Sequence, residues 1–131
     1  MSEKQVEIFE TGVLGPDVPV SAAARVGDLV YVSGNIGNRH GALELVEGGI
    51  AAETRQALQH MAAALKASGS AVDRVIKCNI YIVDMAEFGA LNEVYLEFFG
   101  AHRPARATVV VKELGLGGRV EIECVALAKS G

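Results

Sequence analysis

The hydrophobic pattern starts in short β-like pieces. Gln5–Phe9 is β-prone and Gly15-Pro16-Asp17 is a turn signal. Ala22–Val26 fits a short strand ended by Gly27-Asp28. Leu29–Val32 is a continuous apolar run of the kind seen in buried strands, closed by Ser33-Gly34-Asn35. A polar, glycine-bearing loop fills Gly37–Gly49. The period then changes. Ile50, Thr54, Leu58, Met61 and Leu65 recur at spacings of four and three, one face of a helix. Glu53, Arg55, Gln56, Gln59 and Lys66 fall mostly off that face, and His60 is expected to be exposed. Ser68-Gly69-Ser70 stops the helix.

Val75–Val83 returns to period two, with Lys77 and Asn79 on one parity and Ile76, Cys78, Ile80 and Ile82 on the other. Asp84 and Glu87 have capping-box spacing. They introduce a second helix with Phe88, Leu91, Tyr95, Phe98 and Phe99 on one stripe, ended by Gly100. Arg103-Pro104 forces an extended backbone, so Ala105–Val111 is a strand. Gly115–Gly118 makes a tight connection, and Val120–Ala128 alternates as a last strand. The order β-β-β-α-β-α-β-β has too few crossovers for a doubly wound sheet. It predicts one α+β domain over residues 1–131, with two helices packed on one face of a mixed sheet. The other face then needs a cover, and a neighbouring subunit is the economical one.

Composition agrees with association. Half of the 131 residues are hydrophobic before the 15 glycines are counted, above the ordinary share. A subunit interface would absorb this excess; an alanine-rich core is the alternative. The formal charge is −4 and no Lys/Arg run reads as a nucleic-acid footprint. Cys78 and Cys124 sit inside apolar strands with no metal-ligand spacing. The start, MSEKQVEIFE, lacks signal-peptide features, and no apolar run nears the ~20 residues of a membrane helix. A cytoplasmic protein is expected.

Several residues could carry chemistry. Arg106 follows Pro104 by two and shares a strand face with Thr108 and Val110. A guanidinium there can hold a carboxylate bidentately; a solvated or ion-paired arginine has the same spacing. Glu121 and Glu123 share one face of the last strand. Such pairs usually mark a solvated face, but a carboxylate near an arginine can orient a water. Asn92 lies beside the stripe of the second helix, where its amide either caps a backbone group or lines a pocket. Ser33 is a turn residue or a hydroxyl for a ligand; it lacks the flanking glycines of a hydrolase nucleophile. His40, His60 and His102 have neither metal nor triad spacing. Gly115-Leu116-Gly117-Gly118 lacks the lysine and following helix of a phosphate loop.

Together these segments resemble one family. Asp28-Leu29-Val30-Tyr31-Val32-Ser33-Gly34, Arg103-Pro104-Ala105-Arg106-Ala107-Thr108 and Val120-Glu121-Ile122-Glu123-Cys124-Val125-Ala126 are similar to signatures of the RidA/YjgF reactive-intermediate deaminases. Tyr95 with Phe98-Phe99 matches the helix before the arginine motif. The pieces run in order from about Val20 to Ala128. The resemblance implies a chorismate-mutase-like fold and a homotrimer with sites between subunits. It implies that Arg106 binds a substrate carboxylate and that Glu121 positions the attacking water. Ser33, Gly34 and Asn92 would line the pocket, and the backbone at Thr108 would contact the imino group. Two positions depart from the pattern: Thr108 stands where cysteine is frequent, and Val20, not tyrosine, follows Pro19.

The function so implied is hydrolysis of 2-imino and 2-enamino acids to 2-keto acids and ammonia. The imine is electrophilic by itself, so no cofactor or metal is expected, only positioning and modest electrostatics. A non-catalytic small-carboxylate binding or regulatory protein would use Arg106 equally well. A ribonuclease is a third class, disfavoured by the lack of a basic patch and of paired histidines.

Overall fold

A computed structural model describes residues 3–130. Six strands, β1 (Glu7–Phe9), β2 (Ala23–Val26), β3 (Leu29–Asn35), β4 (Val75–Ile82), β5 (Ala105–Val110) and β6 (Val120–Leu127), form one sheet ordered β1-β2-β3-β6-β4-β5. The β4–β5 pair is parallel and every other pair antiparallel, so the sheet is mixed. Helices α1 (Gly49–Ala67) and α2 (Phe88–Phe99) pack on each other and on one sheet face. The element order and the two-helix layer agree with the sequence pattern. No helix among the described residues is long and apolar enough to cross a membrane.

The core lies between helices and sheet. Leu58, Met61 and Leu65 of α1 and Leu91 of α2 meet Val30, Cys78, Ile80, Ile82, Val120 and Ile122, all essentially inaccessible. Residues of opposite parity form the other face, which carries no helix. There Leu29 pairs with Leu127, Tyr31 with Val125, Asn79 with Glu123 and Tyr81 with Glu121. Tyr31 and Val109 stay about half exposed, at 48% and 47%.

Local details correct the sequence pattern. A register shift between Val75 and Lys77 breaks the expected parity, burying Val75 and leaving Ile76 exposed; an extra residue in a strand reverses the facing of the residues after it. Ser33-Gly34-Asn35 does not close β3 but lies within it, at another shift between Val32 and Asn35. Asp84 does cap, accepting from Ala86 N at 2.9 Å, but it caps a short 3-10 turn, Met85–Glu87, ahead of α2.

His60 and Glu53, read from the sequence as exposed or off the apolar face, are both buried. The loop after β3 folds back over the polar flank of α1 and covers them. His60 Nε2 donates to the Asn38 carbonyl at 2.7 Å, which also accepts from Gln56 Nε2. Asn38 Nδ2 in turn donates to the carbonyls of Val13, Arg39 and Ala42. Glu53 packs so closely under Gly37 that a Cβ there would lie 2.5 Å from Glu53 Cα.

Candidate active site

Alternation and register decide which candidate residues meet. Arg106 stands beside Cys78, and Cys78 opposite Cys124. All three point to the helix-covered face. Thr108 stands beside Ile80 on the same face. Above them α2 presents Phe88, Asn92 and Tyr95, spaced four and three. The Arg106 guanidinium lies 4.7 Å from the Tyr95 ring centroid and 5.4 Å from that of Phe88. Such stacking suits a planar guanidinium better than an ammonium.

The surroundings of this guanidinium are unusual for a structural arginine. Arg106 makes no ion pair with a carboxylate among the described residues. Three polar atoms of this set of residues, Asn92 Oδ1, Tyr95 Oη and Thr108 Oγ1, are buried without a hydrogen-bond partner. Buried polar atoms are nearly always satisfied, so orphans call for an explanation. β5 is also an edge strand. Val111 N donates to the Ile82 carbonyl, so backbone alternation turns the N–H and C=O of Arg106 and Thr108 away from β4, toward the open edge. The Cys78 thiol beneath is pushed up to about 11, mainly by burial, although Tyr95 and Arg106 both pull it down. It is a neutral thiol, not a nucleophile.

The second cluster forms elsewhere. Glu121 faces the helix-free side of the sheet, beside Tyr81. It packs directly behind Gly34: a Cβ at Gly34 would lie 2.9 Å from Glu121 Cδ. Burial raises the Glu121 carboxyl above the ordinary carboxylate range, and the Glu123 charge adds to this. Glu123 is occupied by Tyr81 Oη, which donates to Glu123 Oε1 at 2.7 Å. The Ser33 hydroxyl donates its proton to the Ser21 carbonyl at 2.6 Å, which leaves its lone pairs free to accept. A cavity of about 30 Å³ lies at Ser33 and Gly34, bounded by Glu10, Val20 and Ser21. That is room for about one water.

The sequence candidates thus fall into two groups. Arg106, Asn92 and Thr108 sit under α2; Ser33, Gly34 and Glu121 sit on the other side of the sheet. Phe88 and Tyr95 read in the sequence as core stripe, and the structure turns them into a platform for the guanidinium. An aromatic pair seven apart, followed by an arginine strand, was the available signal.

Known proteins match this chain over nearly its whole length. Residues 13–128 match the family model described as Endoribonuclease L-PSP. The human 2-iminobutanoate/2-iminopropanoate deaminase is 40% identical over 88% of this chain and 82% of its own. The crystal structure of yeast Mmf1 superposes with a TM-score of 0.89 at 32% identity, over 95% of this chain and all of that one. Escherichia coli TdcF, solved with bound serine, superposes with a TM-score of 0.86 at 30% identity, over 94% of this chain and 99% of that one. Matched so in sequence and in fold, the chain belongs to the Endoribonuclease L-PSP family, the RidA/YjgF proteins.

Proposed function

We propose that this protein hydrolyses 2-imino acids, and the 2-enamino acids that tautomerise to them, to 2-keto acids and ammonia. The observation that carries the reading is the stacked Arg106 guanidinium, without a carboxylate partner among the described residues, in a set of residues with three orphan polar atoms. That arrangement suits a planar anion. A substrate carboxylate takes both prongs of the fork. The imino group sits near the Thr108 backbone, the Asn92 amide and the accepting Ser33 oxygen. Glu121 holds a water against the imine carbon and removes a proton as the C–O bond forms. The C=N double bond becomes a single bond and its nitrogen takes a proton. In the resulting carbinolamine Glu121 passes the hydroxyl proton to the nitrogen as C=O forms, so that the C–N bond breaks and ammonia leaves. One imine and one water give one keto acid and one ammonia, with no redox change. The activity for which the human relative is named supports the same chemistry.

The site is proposed to lie between subunits of a homotrimer. One protomer would supply Arg106, Asn92 and Thr108, and its neighbour Ser33, Gly34 and Glu121. The opposite facings of Arg106 and Glu121 support this, because a single small substrate cannot reach both sides of one sheet. The apolar rows left open on the helix-free face support it too.

Ammonia release from imines generated in place by an amino-acid oxidase tests the reaction. Release above the uncatalysed rate is expected. A protein that only binds carboxylates would leave that rate unchanged, and the deaminase reading would fall.

A further inference from the structure

Few charged or titratable groups share the helix-free face with Glu121. β6 adds Glu123, β4 adds Lys77 and Tyr81, and β3 adds Tyr31. β5 adds none among the described residues. Glu10 borders the small cavity at Ser33 and Gly34, its Oε1 held by Ala22 N at 3.2 Å. In the proposed trimer the neighbour's Arg106 adds a positive charge, the same in every variant compared below.

Tyr81 is the register partner of Glu121 across the β4–β6 pair, yet its hydroxyl goes elsewhere. It reaches diagonally, two residues along β6, and donates to Glu123 Oε1 at 2.7 Å. Aromatic side chains span such diagonals. A phenol has one proton to give. That bond raises the Tyr81 hydroxyl above its ordinary value, with burial and the charges of Glu123 and Glu121 adding to it, so the proton stays on Tyr81 at neutral pH. Among the described residues no hydrogen bond reaches the Glu121 carboxylate. Burial raises its pKa and the Glu123 charge adds to this. Both features suit a general base: its lone pairs are open, and a more basic carboxylate takes a proton from water more readily.

We propose that Glu123 and Tyr81 are positioning residues for the hydrolysis: Glu123 takes the phenol proton that Tyr81 would otherwise give to Glu121, and so keeps the Glu121 carboxylate open to the attacking water. This rests on the deaminase reading above. Both residues act through Glu121 rather than on the substrate. Without Glu123 the phenol turns to its register partner, and the new hydrogen bond has to break before Glu121 can take a proton. Breaking a hydrogen bond to a charged group first slows turnover by about tenfold.

The test measures kcat for ammonia release against pH in three variants, corrected for uncatalysed hydrolysis, with Tm as the check on folding. Glu123→Gln keeps an acceptor for Tyr81 but loses the charge, and the acid limb of its profile is expected to move to lower pH. Glu123→Ala frees the phenol, and kcat at neutral pH is expected to fall by about tenfold. Adding Tyr81→Phe to Glu123→Ala is expected to restore that loss, a gain from a second substitution that a merely structural role does not give. An acid limb unmoved in Glu123→Gln, a kcat unchanged in Glu123→Ala, or a double variant no more active than Glu123→Ala would overturn the positioning role while leaving the deaminase reading intact. Should Glu123→Ala fail to fold, the acid limb of Glu123→Gln decides alone. Absence of ammonia release by the wild type would instead overturn the deaminase reading, and this inference with it.

Discussion

At the scale of single residues, Glu121 and Gly34 act as a matched pair. Gly34 is glycine because a side chain would occupy the place of the Glu121 carboxylate. Gly34→Ala is expected to lower kcat more than it raises KM, since it displaces the water-holding group and leaves the carboxylate seat alone. Glu121→Gln is expected to cost about 10²- to 10⁴-fold in turnover. Activity of the wild type should fall on acidification through a pKa above the ordinary range for Glu, because burial and Glu123 both raise it. The same shift has a stability consequence. A carboxyl whose folded pKa is raised contributes stability below its unfolded pKa and loses it as pH rises through the folded one. Glu121→Gln should therefore raise Tm at neutral pH and lose that advantage in acid, a trade familiar at active sites. The strand position of Arg106 was legible in the sequence from Pro104 and the alternation after it, and its role was implied only by the family resemblance. Its platform was not, because periodicity marks Phe88 and Tyr95 as apolar stripe without saying what lies beneath that stripe.

At the scale of elements, the loop after β3 is pinned to α1 through one carbonyl. Asn38 O accepts from His60 and Gln56, while the Asn38 amide ties Val13, Arg39 and Ala42. Burial lowers the His60 pKa below 6.5, with the His40 charge adding to this and the Asn38 hydrogen bond opposing it. A histidine with a depressed folded pKa contributes stability above its unfolded pKa and loses it as pH falls through the folded one. Thermal unfolding followed from pH 8 to pH 5 should lose stability below about 6.5, and His60→Gln should flatten that loss. An unchanged profile in the variant would remove His60 as the cause. The burial of His60 and Glu53 was not legible, because the covering loop has no period to read. The strands and helices were, since both faces of each repeat at two or 3.6. The bulge at Val75–Lys77 escaped for the complementary reason: the run Val75-Ile76 is apolar on both parities, so nothing in it marks the slip.

At the scale of the whole molecule, the candidate site residues of one protomer lie on opposite faces of its sheet. The sheet keeps Tyr31, Val109, Leu29 and Leu127 exposed on its helix-free face, and the two halves of the site face opposite ways. Sedimentation is expected to give a trimer at micromolar concentration; a stable monomer would leave Glu121 without an arginine to serve. The fold class and the uncovered face were both legible from element order, whereas sites between subunits were implied only by the family resemblance, which does not say which residue faces which side. That facing depends on register, which brings Arg106 level with Cys78 and Glu121 level with Tyr81. The most direct measurement uses two inactive variants, Arg106→Ala and Glu121→Ala, unfolded together in equal amounts and refolded as mixed oligomers. If each site joins Arg106 of one subunit to Glu121 of its neighbour, random mixing in a closed ring restores about one quarter of the wild-type sites. Ammonia release should then recover to about that fraction, while either variant refolded alone stays inactive. Mixed oligomers with no more activity than the separate variants would contradict the shared site.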